Sequence, residues 1–228
     1  MTWSFILFSL LIISLLVVAS MVLCAKIYLE VTCRISEKDR IALTFDDGPH
    51  PKYTPELLDV LAKHNAKATF FVVGKNAKKH PEIIRRMIEE GHSVGNHSYS
   101  HQWQWGFWSE DKVYRELRGT RELLNEIHSQ SYPLFRPPFG ISNPNIAKVV
   151  KRMELAVVGW SLRTFDTSRK PKKVQQQLLK KLKGGDIVLM HDRLENTPQV
   201  IDIVLTHFSK SGLKFVNLEA PKSDTKLD

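Results

Sequence analysis

From residue 41 onward, short apolar runs alternate with amphipathic ones. The apolar runs are Ile41–Phe45, Ala68–Val73, Ser93–Gly95, Leu134–Phe135, Leu155–Trp160, Asp186–Met190 and Lys214–Leu218. They are short and several are β-branched or aromatic, which predicts strands. Between them, Thr54-Pro55, His80-Pro81, Asn143-Pro144 and Thr197-Pro198 each place a proline where a helix can begin. Its missing N–H costs nothing there, and Thr or Asn before it is a good cap. Gly91 and the Gly184-Gly185 pair mark helix ends. The stretch Ser109–His128 carries Val113, Leu117, Leu124 and Ile127 near helical spacing. Strict alternation of this kind predicts an α/β fold of about seven parallel strands with helices outside, as a barrel or a doubly wound sheet.

Upstream the pattern changes. Phe5–Ala25 has no charge and no proline, and is long enough to cross a hydrocarbon core of roughly 30 Å as one helix. Trp3 lies just outside it, as an interfacial aromatic would. The preceding MTWS has no Lys or Arg, which favours an uncleaved anchor over a cleaved signal. The expected organisation is a transmembrane helix over 1–25, a linker over 26–40, one folded domain over 41–220 and a frayed polar tail over 221–228.

Composition adds little to this: 43% hydrophobic and 25% charged residues in 228 suit an ordinary globular domain. Charge adds more. The net charge of +9 suggests an anionic neighbour. Basic residues are dense from Lys148 to Lys183, as solvated helix faces or as a contact for phospholipid headgroups or an anionic glycan carrier. No nucleic-acid-binding motif is present, and no protein partner is expected. Lys26, Arg34, Lys38 and Arg40 follow the apolar span while none precedes it, which favours a cytoplasmic domain by charge bias. Cys24 and Cys33 are the only cysteines and resemble no disulfide framework, so the redox compartment stays open.

Candidate chemistry collects where strands end. Asp46 and Asp47 follow the first, His97 and His101 the third, Arg136 closes the fourth, Asp166 lies past the fifth, and His191 follows Met190. Parallel α/β barrels build active sites at this end of their strands. His97 and His101 stand at i, i+4 and face one way on a helical turn. With Asp47 they make a two-His, one-carboxylate set that leaves open positions on a metal. Zn2+ suits these ligands, and Co2+ or Ni2+ are alternatives. Asp46 is then free to act as base, held ionised by a bidentate contact from Arg136. His191 suits a general acid for an amine leaving group, oriented by Asp166. The aromatic run Gln102–Trp108, with Trp105 at its centre, suits sugar stacking or a membrane interface, or else a core.

Together these residues resemble the polysaccharide deacetylases of carbohydrate esterase family 4, the nodulation-type chitooligosaccharide deacetylase domain. The motifs TFDDG (Thr44–Gly48), HSYSH (His97–His101), RPPFG (Arg136–Gly140), WSLRTFDT (Trp160–Thr167) and LMH (Leu189–His191) stand in the family's order. The resemblance implies a distorted (β/α) barrel that hydrolyses acetyl amides on N-acetylglucosamine units, usually with zinc. It assigns the metal to Asp47, His97 and His101, the base to Asp46 braced by Arg136, and the acid to His191 steadied by Asp166. The backbone N–H of Phe139 would face the oxyanion, and Trp160 and Leu189 would line the pocket for the acetyl methyl. Arg163 and Thr167 stand where the family commonly has Asp and Trp, so the polymer-gripping groove departs from its pattern.

Three functions fit. One is a deacetylase of an envelope glycan such as peptidoglycan, poly-N-acetylglucosamine or chitooligosaccharide, with the domain outside the cytoplasm. Another is a deacetylase or deformylase of a lipid-linked sugar at the inner membrane face, as the charge bias favours. The third is an inactive carbohydrate-binding or scaffold protein.

Overall fold

The computed structural model describes residue 8 and residues 21–219. Nine strands form one sheet, joined by seven helices: β1 Val31–Thr32, β2 Arg40–Asp46, α1 Tyr53–Lys63, β3 Ala68–Val72, α2 Gly74–Lys79, α3 Pro81–Glu89, β4 Ser93–Asn96, α4 Glu110–Ile127, β5 Leu134–Phe135, α5 Pro144–Arg152, β6 Ala156–Val158, β7 Leu162–Arg163, α6 Pro171–Lys181, β8 Ile187–His191, α7 Thr197–Phe208 and β9 Lys214–Phe215. The sheet order is β1-β6-β5-β4-β3-β2-β8-β7, with β9 beside β2. Every strand ladder is parallel. The sheet curls into a distorted, incompletely closed barrel whose gap falls between β1 and β7, edge strands that do not pair with each other.

The two-residue period of β2 sorts its side chains between two environments. Ile41, Leu43 and Phe45 point outward into the main core, against Leu57, Leu58 and Leu61 of α1 and Val200, Ile201 and Val204 of α7. Ala42, Thr44 and Asp46 face inward. Ala42 joins Phe71, Leu134, Val158 and Ile187 in a small apolar plug. Thr44 and Asp46, nearer the strand's C-terminal end, bond to Arg136. On β8, Val188 and Met190 lie in the outer core, while Ile187 fills the plug and Leu189 and His191 line the cleft above it. The alternation thus closes the floor of the barrel with hydrocarbon and leaves its mouth polar.

All seven strands read from the sequence are present, and β1 and β7 are additional. Asn143 caps α5 as expected, its side chain accepting from Ile146 N–H at 3.0 Å. Thr54 and Thr197 lie inside their helices rather than at the caps.

The N-terminal stretch departs from its reading. Among the described residues no helix is long and apolar enough to cross a membrane. The expected span Phe5–Ala25 lies for the most part outside the described residues, as does the tail 221–228. Its last residues, Leu23–Ala25, form a 3-10 helix ended by Lys26 in the left-handed region, and Leu23 is buried in the domain. Within the stretch 26–40, read as a linker, β1 pairs with β6 through Val31–Val157 and Thr32–Val158. Arg34 then makes an ion pair with buried Asp186 at 2.7 Å. Cys24 and Cys33 form a disulfide, which corrects the sequence reading of these two cysteines. Its sulfurs sit against Gly159, where an added Cβ would lie 2.7 Å from each.

Candidate active site

The strand ends meet at a cleft of about 490 Å³. Asp46 is the last residue of β2, and Asp47 follows with φ of 76°. Ser98, His101 and Phe139 also adopt positive φ, at 63°, 49° and 59°. Non-glycine residues are strained there, and strain concentrated around one cleft is a mark of function.

Arg136 organises the centre. Its side chain is fully buried inside the barrel. Nη1 donates to Asp46 Oδ1 at 2.8 Å and to Thr44 Oγ1 at 2.7 Å, Nε to Val158 O at 3.1 Å and Nη2 to Gly159 O at 2.7 Å. The contact with Asp46 is therefore through one nitrogen, not the bidentate fork expected. The remaining donors go to backbone carbonyls of the β6 end, and the guanidinium lies 4.3 Å from the centroid of Phe71. Burial presses its pKa down while Asp46 supports the charged form.

His97 and His101 converge with Asp47, but not on a helical turn. They meet across a bend in which Ser98 N–H donates to Asn96 Oδ1 at 2.9 Å and His101 N–H to Ser98 Oγ at 3.1 Å. Glu116 of α4 clamps the bend, accepting from the N–H groups of Tyr99 and Ser100 at 3.1 and 2.8 Å. Asp47 Oδ1 lies 3.6 Å from His97 Nε2 and 3.3 Å from His101 Nε2. One donor atom from each of the three falls within 4.8 Å of the others. His97 Nδ1 is 2.7 Å from the carbonyl of Arg136. An N–H must occupy that contact, which in the neutral ring leaves Nε2 as the lone-pair nitrogen turned toward Asp47. Burial, followed by the nearby His97, lowers His101 to about 4, leaving it neutral at physiological pH. Burial acts upward on Asp47, but His97, His101, His191 and Arg193 outweigh it and bring it to about 2. An anion beside imidazole lone pairs fits a divalent cation.

His191 is the register partner of Asp46 on the neighbouring strand. Asp166 grips it twice, accepting from the His191 backbone N–H at 2.7 Å and meeting Nδ1 at 2.8 Å. Nε2 is left facing the cleft, 4.0 Å from Asp47 Oδ2. Burial pulls the His191 pKa down most strongly of any single influence. The hydrogen bond and charge of Asp166, with Asp46 and Asp47, outweigh it and raise the pKa overall. Phe139, Trp160 and Leu189 complete the wall. Gly140 has φ of 71° and passes so near Trp160 that an added Cβ would lie 2.5 Å from the ring, so glycine is required twice over.

Trp105 does not belong to the site. It is fully buried, donates Nε1–H to Ile141 O at 3.1 Å and packs on Phe135 and Trp108. From the same run, Trp103 and Phe107 are the exposed rings. Trp105→Ala should lower stability by about 3–5 kcal/mol, as large core truncations do. A urea titration should show the midpoint fall with little change in slope, while the folded fraction keeps its affinity for sugar. Lost affinity at unchanged stability would return Trp105 to the binding surface.

Two side chains that the sequence reading missed touch Asp47. Arg193 Nε donates to its Oδ2 at 2.8 Å, and Asn76 Nδ2 to its carbonyl at 2.8 Å. Lys75 also lines the cleft. The strand-end rule that found the others reaches these too, once extended to the first turn after β3 and the second residue after His191.

The sequence matches the description Polysaccharide deacetylase over residues 34–158. It is 34% identical over 186 residues to a peptidoglycan-N-acetylglucosamine deacetylase of Bacillus cereus, covering 79% of this chain and 67% of that protein. It is 38% identical over 181 residues to the peptidoglycan-N-acetylglucosamine deacetylase PgdA of Listeria monocytogenes, of which it spans only 38%. The peptidoglycan-N-acetylmuramic acid deacetylase PdaA of Bacillus subtilis is 33% identical, over 81% of this chain and 72% of that one. Among solved structures, peptidoglycan deacetylase PdaC from Bacillus subtilis superposes with a TM-score of 0.74 at 31% identity, over 79% of this chain and 88% of that one. A family pseudoenzyme from Bacillus anthracis does so with a TM-score of 0.74 at 28% identity, over 82% of this chain and 66% of that one. With strand-end motifs, barrel and family match in agreement, the chain belongs to the polysaccharide deacetylase family.

Proposed function

We propose that this protein is a metal-dependent deacetylase of N-acetylated hexosamines in a cell-envelope glycan. The observation that carries the reading is the pairing of Asp46, held by Arg136, with His191, held by Asp166, on adjacent strands beside the Asp47–His97–His101 set. Those three residues would hold a divalent cation, for which Zn2+ is the first choice, and it would supply Lewis acidity to the acetamide carbonyl and to a water. Asp46 accepts the proton of the attacking water. His191 carries a proton at Nε2 and delivers it to the departing amine, so that an amine and acetate leave. The N–H of Phe139 donates to the oxyanion, and Trp160 and Leu189 enclose the methyl and exclude water. The names of the relatives support peptidoglycan or chitooligosaccharide as the substrate class.

The expected result is acetate release from an N-acetylglucosamine tetramer by the full Zn2+-loaded chain, abolished by a chelator and restored by Zn2+. A folded chain that binds one metal ion yet releases nothing would place it with the pseudoenzyme neighbour.

The Cys24–Cys33 disulfide supports an extracytoplasmic site of action, because such bonds persist in oxidising compartments. It weighs against the inner-face, lipid-linked reading, which rested on charge bias. In acid-quenched cells, a maleimide should label the two cysteines only after reduction. Labelling without reductant would reverse the assignment.

A further inference from the structure

Three basic side chains rim the cleft, and the chemistry above uses none of them. Lys75 follows β3, Arg193 follows β8, and Arg163 ends β7. In the sheet order β5-β4-β3-β2-β8-β7, Arg193 and Arg163 come from one side of the aspartates, and Lys75 comes from the other, the side that also supplies His97, His101 and Phe139. All three are exposed. Among the described residues the only acids lining the cleft are Asp46 and Asp47, and both are engaged within the site. Among the described residues, Lys75 and Arg163 form no ion pair, and Arg193 pairs only with Asp47. Cations at a cleft mouth with no free acid to answer them concentrate positive potential there, and low-dielectric walls focus it.

Arg163 is held in place rather than trailing in solvent. Its guanidinium lies 4.8 Å from the ring centroid of Phe165 and 5.7 Å from that of Trp160. Its carbonyl accepts from Gln177 Nε2 of α6 at 2.9 Å. Stacking of this kind leaves the N–H edge of a guanidinium available for a two-point contact with a carboxylate or phosphate. Trp160 walls the space for the acetyl methyl, so Arg163 stands beside the acetamide. On a 2-acetamido sugar the carbons beside that group are C1 and C3. We propose that the cleft selects acidic sugars, in which an anionic substituent at C1 or C3 next to the acetamide is bound by Arg163 within the field of Arg193 and Lys75. The inference rests on the deacetylase reading and narrows it to an anionic substrate class. A carboxylate ether at C3 and a phosphate at C1 present the same chemistry.

Two matched pairs of sugars test it on the full Zn2+-loaded chain. One is a tetramer alternating N-acetylglucosamine with N-acetylmuramic acid, against its methyl ester. The other is N-acetylglucosamine 1-phosphate, against its neutral methyl glycoside. The acidic member of at least one pair should exceed its neutral partner by about tenfold or more in kcat/KM. That gap should close to about threefold or less in Arg163→Ala and in about 0.5 M salt. The pair that shows it names the source of the anion. Acidic and neutral members turned over equally in both pairs would overturn the proposal and leave deacetylation standing, and so would a gap that R163A does not alter. If no sugar is turned over, the deacetylase reading fails instead. Calorimetric titration of the metal-free chain with each pair then decides: tighter binding of the acidic member upholds the selection, and equal affinity overturns it.

Discussion

Asp46→Asn should lower acetate release by about 10²–10⁴-fold, the scale of general-base catalysis, while the chain still binds one Zn2+. The amide is nearly isosteric and its oxygen can still accept from Arg136 Nη1, now 2.8 Å from Asp46 Oδ1. Asp47, His97 and His101 keep their geometry because Asp46 positions none of them through a hydrogen bond. What disappears is the group proposed to take the proton from water. Metal content by elemental analysis, beside initial rates of acetate release, separates the two effects. Loss of metal in step with loss of rate would make Asp46 a ligand rather than a base. A rate within a few-fold of wild type would remove the proposed mechanism.

Arg136→Leu should have the largest effect on the fold. The residue is completely buried and makes four hydrogen bonds, and its loss strands Asp46, which is only 4% exposed, without its cationic partner. Breaking one side of a buried ion pair typically costs about 3–5 kcal/mol. In a domain of this size that is a fall of about 10 °C in melting temperature. Adding Asp46→Asn to the same chain should recover part of the loss, since no buried charge then lacks a partner, and a double-mutant cycle reads that coupling. Additive losses would mean that Arg136 acts mainly through the carbonyls of Val158 and Gly159. Acetate release should fall with R136L even in the folded fraction, because nothing then fixes the Asp46 carboxylate.

Seven of the strands were legible in the sequence because the apolar runs that carry them are local properties. The residues that meet at the cleft were legible because parallel strands deliver their following residues to one end. β1 and β7 escaped because Thr32 and Arg163 interrupt any apolar run there; each exists only by pairing with a neighbour far away in sequence, as Val31 does with Val157. The disulfide escaped for a related reason. Cys24 closes an apolar stretch that reads as a membrane span, and only the packing of Leu23 and β1 shows that this end of it joins the domain. Trp105 was misplaced because an aromatic run without periodicity does not say which ring faces inward. The carbonyl of Ile141, distant in sequence, settles that by accepting its N–H. The histidine bend was read as helical since i, i+4 spacing is shared by a turn with two residues at positive φ.

The edge strand on one side of the barrel gap is β1, only two residues long, which covers β6 and is held by the Cys24–Cys33 link. A fragment trimmed to begin at residue 34 would keep every proposed catalytic side chain and yet lose that cover. The outer edge of β6, carrying Val157, would then offer unpaired N–H and C=O groups to any other chain. Such a fragment should fail by self-association before it fails by chemistry, so an excised enzyme should begin upstream of Cys24.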